Sequence, residues 1–278
     1  MYVNLNGRIL QEEEAHISPS NRSFRYGDGC FETMKMLDGK IILQELHLQR
    51  LFYSLLSLQF EIPKQFTSHS VIENIYATAK GNRLSNARVR LTMFRGDGGL
   101  YDVANLHPNF LIQVYPLENI TPTLNSNGLV VGIYKDAIKA ADNFSSIKSN
   151  NFLPYTQAAL WAKTQRLNDA ILLNQYSTVA DATIANVFVV TNGVIQTPPL
   201  SDGPIDGVMR RYLLRQLQQD GYSVKQQSIP VEDLLNSSEV FFTNAIQGIR
   251  WVRQIEKSNF TCDLTAQLYN KYIIPLFR

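Results

Sequence analysis

The chain has 278 residues, of which 45% are hydrophobic and 18% charged, with a net charge of +2, a make-up that fits an ordinary globular protein of one large domain or two smaller ones. That charge is too small to imply a nucleic-acid partner, and no apolar run reaches the roughly 18 residues needed to span a bilayer. The two cysteines, Cys30 and Cys262, argue against a disulfide framework, and the opening Met1-Tyr-Val-Asn-Leu-Asn-Gly-Arg lacks the basic and apolar regions of a signal peptide, so the expected compartment is the cytoplasm.

The first elements predicted are two short strands, residues 2–5 and a second after a turn at Gly7-Arg8. Residues 30–37 read as a strand, Asp38-Gly39-Lys40 as a hairpin turn and 41–43 as the return. Leu48, Leu51, Leu55 and Leu58 recur at steps of three and four, predicting a helix over 47–60. Val71, Ile72, Ile75 and Ala79 mark a second helix, and strands follow at 87–94 and 109–115. The Pro, Thr, Asn and Ser content of 116–127 is that of a linker. It divides the chain into a domain over 1–118, a linker over 119–127 and a second domain over 128–278. Beyond it, 129–134 reads as a strand and 154–167 as a helix with proline in its first turn. Residues 170–173 and 187–190 read as strands flanking a polar turn. Residues 206–220 form a helix closed by Gly221, 239–243 a strand, and Leu264, Leu268 and Tyr272 a last helix. Strands and helices mix without strict alternation, which gives an α+β fold rather than a doubly wound sheet.

Few residues announce chemistry alone. His16, His47, His69 and His107 have no His or Cys partner at metal-ligand spacing, so no metal site is expected. There is no P-loop, and the Gly-rich runs at 27–29 and 96–99 read first as turns. Arg50 on its own is a surface arginine. Gly207, before Val208 and Met209 at a helix start, is either a turn or the mouth of an anion site built from unpaired amides and the helix dipole. Lys148 is one of eleven lysines, and an amine nucleophile must first lose its proton. Asp181 and Asn186 read as turn residues between strands. Arg90 and Arg95 either bind carboxylates or are solvated.

The order of these features is more informative. The blocks Tyr26-Gly-Asp-Gly-Cys-Phe-Glu-Thr33, His47-Leu-Gln-Arg-Leu51, Arg95-Gly-Asp-Gly-Gly99, Ile147-Lys-Ser-Asn-Asn-Phe-Leu153, Asp181-Ala-Thr-Ile-Ala-Asn-Val-Phe188, Gly207-Val-Met-Arg210 and Glu239-Val-Phe-Phe-Thr-Asn-Ala245 resemble, in order and spacing, the fold type IV pyridoxal-phosphate enzymes. That family includes branched-chain aminotransferases, D-amino-acid aminotransferases and aminodeoxychorismate lyases. The resemblance spans essentially the whole chain. It implies a small N-terminal α/β domain, a larger C-terminal pseudo-barrel domain carrying the Schiff-base lysine, a cofactor between them, and a homodimer.

By position, Lys148 would carry pyridoxal 5'-phosphate as a Schiff base and then shuttle protons. Arg50, the amides of Val208 and Met209 after Gly207, and Asn244 would hold the phosphate, while Asn186 shapes the pocket. Asp181 stands where the family usually has glutamate, whose carboxylate pairs with the protonated ring nitrogen; here that side chain is one methylene shorter. Arg90, Arg95 and Ala245 are expected at the substrate. The local matches are nearest to aminodeoxychorismate lyase, which releases pyruvate to give 4-aminobenzoate. Branched-chain amino-acid transamination is the alternative, and a non-catalytic relative a minor one. The expected partner is a small molecule, an amino acid or aminodeoxychorismate, with neither nucleic acid nor membrane.

Overall fold

The computed structural model describes residues 1–101, 106–117 and 121–278. The chain divides into two units, Met1–Ile120 with Ile147–Asn151, and Thr121–Ser146 with Phe152–Arg278. The expected linker, 119–127, begins in 118–120, which lie outside the described residues. Chain order alone placed Lys148 with the C-terminal domain, whereas the division puts its segment with the first unit.

The first unit is built on β1 (Tyr2–Leu5), β2 (Arg8–Gln11), β3 (Gly29–Leu37), β4 (Lys40–Ile41), β5 (Ala87–Arg95) and β6 (Pro108–Pro116), in the antiparallel order β2-β1-β6-β5-β3-β4. A short helix, α1 (Arg22–Tyr26), precedes β3, and α2 (Gln44–Ser57) and α3 (Ser68–Gly81) supply the helical layer. The β3–β4 hairpin closes on Asp38-Gly39, both at positive φ, the pair that a tight two-residue turn requires. Alternation along β3 sends Cys30, Met34 and Met36 into a core shared with Leu48, Leu51 and Leu55 of α2 and Ile75 of α3. Each such side chain contributes about 1.5–3 kcal/mol when fully buried. Glu32 has the same parity as these residues, so a carboxylate is drawn into an apolar core.

The second unit is built on β7 (Leu129–Lys139), β8 (Asp169–Asn174), β9 (Val179–Ala182), β10 (Asn186–Thr191), β11 (Val194–Thr197), β12 (Val224–Gln226), β13 (Glu239–Asn244) and β14 (Gly248–Ile255), in the order β12-β11-β10-β13-β14-β7-β8-β9, with β15 (Ser258–Asn259) on β14. Parallel pairing of β7 with β8 requires a crossover. Its helix, α4 (Leu153–Thr164), packs Tyr155, Ala158 and Ala162 against Tyr134, Ala170 and Leu172. The remaining helices are α5 (Val208–Gln219), α6 (Val231–Leu235), α7 (Asp263–Leu268) and α8 (Ile274–Leu276), a π-helical turn at Tyr269–Ile273 joining the last two.

The elements predicted from sequence are present with ends moved by a few residues, and one reading is corrected. Residues between 174 and 186 are not simply a polar turn: β9 carries Asp181 as a buried strand residue, and Asn186 opens β10. Small neighbours, Ala180 and Ala182, let β9 sit fully covered, so the hydrophobic contrast that marks a strand is weak there. Strands β11, β12, β14 and β15 and the short helices α1 and α6 also have no counterpart in the sequence reading. Among the described residues, no helix is long and apolar enough to cross a membrane, and no group of His, Cys, Asp or Glu is placed to hold a metal ion.

Candidate active site

In the first unit, Lys148 lies beside the start of β3. The Phe31 amide donates to the Lys148 carbonyl at 2.9 Å, and the Asn150 amide donates to the Gly29 carbonyl at 2.9 Å. A side chain on Gly29 would meet the Met93 carbonyl at 2.2 Å, so the close approach of these strands needs glycine there. Lys148 Nζ stands 4.4 Å from the centroid of the Phe31 ring, and the Arg90 guanidinium 3.9 Å from the same ring. Two cations thus share one aromatic side chain, a geometry favourable to each.

The face of β3 turned to α2 carries a buried polar group. Arg50 donates through Nε and Nη2 to the two oxygens of Glu32, at 2.7 and 2.6 Å, and His47 Nδ1 meets Glu32 at 2.6 Å. His47 and Arg50 lie three residues apart on α2, hence on one face. Burial pushes the Glu32 carboxyl up, but Arg50 and His47 more than offset this and hold it at about 2. Burial lowers His47, against the pull of Glu32. The imidazole is therefore neutral: Nδ1–H donates to the carboxylate, and Nε2 is an acceptor with no hydrogen-bond partner among the described residues. The forked ion pair fixes the plane of the guanidinium.

In the second unit, Asp181, Asn186 and Gly207 come together. Asp181 is 1% exposed. It accepts from Tyr155 Oη at 2.9 Å, Asn186 Nδ2 at 2.8 Å and the Ile205 amide at 2.8 Å. Burial raises its carboxyl to about 6, opposed by these hydrogen bonds and by Lys139. Asn186 also donates to the Ile205 carbonyl at 2.7 Å. A Cβ at Gly207 would fall 1.9 Å from Asn186 Oδ1, so glycine is needed there for space, its φ of −68° being open to any residue. Gly207 is the N-cap of α5, and among the described residues no side chain caps that end. At an uncapped helix start the leading amides, here those of Val208 and Met209, can receive an anion. Asn186 pairs with Thr243 across β10 and β13, which brings Asn244 to the same end of the sheet. A buried carboxylate met by neutral donors suits a cationic N–H, and an uncapped helix end suits a phosphate.

The side chains of Arg95 and Asn244 are engaged within the fold. Arg95 is 4% exposed, with Nε on Asp28 at 3.0 Å, Nη1 on the Gln59 carbonyl at 3.2 Å, Nη2 on the Leu58 carbonyl, and its plane over Phe60. These bonds tie β5 to the end of α2 and the loop before β3, so Arg95 holds the fold, and Arg90 is the arginine that shares the Phe31 ring with Lys148. The Asn244 side chain is engaged in its own turn, Oδ1 accepting from the amides of Ile246 and Gln247 at 3.1 and 2.8 Å. Ala245 follows in that turn, partly exposed. Glu32, His47, Phe31 and Tyr155 were not singled out from sequence. The first three lie inside the quoted blocks, whereas Tyr155 carries no signal beyond being a tyrosine on an apolar helix.

The class IV amino-transferase family model matches residues 29–255. The chain is 30% identical to aminodeoxychorismate lyase of Bacillus subtilis, covering 93% of this chain and 88% of that one. It is 28% identical to a provisionally named branched-chain-amino-acid aminotransferase of Methanocaldococcus jannaschii, covering 92% and 88%. The branched-chain aminotransferase of Thermoproteus uzoniensis, solved with norvaline, superimposes with a TM-score of 0.88 at 23% identity, covering 100% of this chain and 95% of that one, a likeness of fold. The chain therefore belongs to the class IV aminotransferase family, whose members are pyridoxal-phosphate enzymes of fold type IV.

Proposed function

We propose that this chain is an aminodeoxychorismate lyase, releasing pyruvate from 4-amino-4-deoxychorismate to leave 4-aminobenzoate. The observation that carries the reading is the 30% identity with the Bacillus subtilis lyase along 93% of the chain. The residues fit pyridoxal phosphate. The uncapped start of α5 suits its phosphate, and the buried Asp181 carboxylate, hydrogen-bonded by neutral groups, suits its protonated ring nitrogen.

When bound, the cofactor supplies a cationic ring that withdraws electrons from the amino-bearing carbon of the substrate. Lys148 would carry it, and its amine, freed when substrate binds, would take the proton from that carbon. The neighbouring C–O bond to the enolpyruvyl group would then break, the proton held by Lys148 would pass to the departing enolpyruvate, which becomes pyruvate, and the ring left behind is aromatic. The amides of Val208 and Met209 hold the phosphate, with Arg50 as its cation. Asn244 contributes through the turn that its carboxamide shapes. Asn186 fixes Asp181 and, by lying against Gly207, joins the carboxylate to the phosphate end. Arg90, beside Lys148 on the Phe31 ring, is placed to meet a substrate carboxylate. Ala245 leaves room at the substrate.

A second reading, branched-chain transamination, is favoured by the 28% identity with the Methanocaldococcus jannaschii protein. Two assays separate them. Formation of pyruvate and 4-aminobenzoate from enzymatically generated aminodeoxychorismate is the expected outcome. Glutamate formed from 2-oxoglutarate with leucine or valine, with no 4-aminobenzoate, overturns it in favour of the second reading. Borohydride reduction followed by peptide mapping is expected to tag Lys148, and a tag on another lysine refutes its role.

A further inference from the structure

Asp181 is not the only buried charge in its surroundings. Lys139, at the end of β7, is 9% exposed, and its Nζ donates to the Ser145 carbonyl at 2.9 Å. That carbonyl is set by a tight loop. Asp142 Oδ1 accepts from Ser145 Oγ at 2.7 Å and from the Phe144 amide at 2.9 Å, while the Asp142 amide donates to Ser145 Oγ at 2.9 Å. The ammonium lies 5.9 Å from the centre of the Tyr155 ring, whose hydroxyl donates to Asp181. Lys139 pairs with Asn174 on β8, and Leu172, two positions away on β8, pairs with Asp181 on β9. The strand order thus sets the lysine and the carboxylate on either side of β8.

A buried ammonium with one hydrogen bond among the described residues is costly unless anions share its surroundings, and those acting on Lys139 are Asp181 and, from its own loop, Asp142. We propose that Lys139 is a positioning residue for Asp181, a buried cation that holds the shortened carboxylate in its charged form so that it can pair with the cofactor's ring nitrogen. The inference rests on the reading of Asp181 as that partner. The charges facing Asp181 are Lys139 from β7 and Arg210 from α5, with the Tyr155 hydroxyl from α4. Arg210 donates through Nη2 to the Pro198 carbonyl and to Gln226, each at 2.9 Å, so it is tied to another part of the unit.

Electrostatics supplies the sign. Burial raises the Asp181 carboxyl to about 6 and Lys139 pulls it down. Without the ammonium it would titrate higher, by about one pH unit for a neighbouring charge of this kind. The charged fraction at pH 7 then falls from about nine-tenths to about half.

The test titrates Asp181 directly, by 13C NMR of the full chain labelled at the aspartate carboxyl carbon and free of cofactor, with Asp181→Asn identifying the resonance. Lys139→Gln keeps a donor for the Ser145 carbonyl without the charge, and Lys139→Arg keeps the charge. The expected result is a midpoint raised by about one unit in Lys139→Gln and unchanged in Lys139→Arg. Should Lys139→Gln fail to fold, Lys139→Met supplies the neutral arm. A midpoint unmoved in the folded neutral variant, or moved equally in Lys139→Arg, overturns the proposal. The titration needs neither cofactor nor substrate, so a failure of the proposed activity is recorded separately by the assays above.

Discussion

Glutamine at position 32 removes one charge from the interior of the first unit and little volume. Glu32 is 2% exposed and Arg50 5%, so Glu32→Gln leaves a guanidinium in an apolar core with a neutral partner. Breaking a buried pair in this way costs about 3 kcal/mol or more. The charge can be told from the shape by pH. The Glu32 carboxyl lies at an ordinary 4.5 when unfolded and about 2 in the folded chain. A depressed carboxylate stabilises fully above its unfolded value and loses that contribution as pH falls toward its folded one. The difference, about 2.5 pH units, is worth about 3 kcal/mol, of which about 1 kcal/mol is gone by pH 3.5. The penalty of Glu32→Gln is therefore about 3 kcal/mol at pH 7 and narrows to about 2 kcal/mol at pH 3.5. Hydrogen–deuterium exchange of peptides from β3 and α2 is the suitable measurement, because both tryptophans, Trp161 and Trp251, lie in the second unit and their fluorescence does not report the first. A penalty of the same size at both pH values would refute the electrostatic account and leave only packing.

The other expectations concern single contacts. Gly207→Ala places a methyl 1.9 Å from Asn186 Oδ1, so Asn186 must shift and loosen Asp181. The melting temperature is expected to fall by the equivalent of about 1–3 kcal/mol, and the rise that added pyridoxal phosphate gives the wild type is expected to shrink. An unchanged response to the cofactor would separate Gly207 from the phosphate. Arg95→Met, removing the donors to Asp28, Gln59 and Leu58, is expected to destabilise by about 3 kcal/mol while leaving the KM of the folded fraction unchanged. Arg90→Met is expected to do the reverse, raising KM for a carboxylate substrate about tenfold or more. Equal KM effects from both would show that the two arginines are not divided between fold and substrate.

How far the sequence carries toward this site depends on what each residue does locally. Helix α2 and the β3–β4 hairpin were legible because leucine spacing and an Asp-Gly turn are local signals. Gly207 and α5 were legible for the same reason, since an unpaired helix start is made by consecutive residues. Asp181 was read as a turn because what covers it is not local: Tyr155 of α4 and the Ile205 amide, twenty-six and twenty-four residues away, close on its carboxylate, while its own neighbours are small. Glu32 was hidden differently: parity along β3 places it inside, and only His47 and Arg50, a turn of helix away in space but fifteen and eighteen residues on in sequence, make that tolerable. Arg95 and Arg90 lie on one strand five residues apart, and no property of either residue separates them; Asp28 and the carbonyls of Leu58 and Gln59 do so for one, and Phe31 for the other. In the proposed reading, the residues of the quoted blocks are those that would meet the cofactor or hold its partners in place. Such residues would serve lyase and transaminase alike and leave the choice of reaction to contacts such as the one proposed for Arg90, which is why substitutions there are expected to move KM and those at Asp181, Lys139 and Glu32 to move titration and stability.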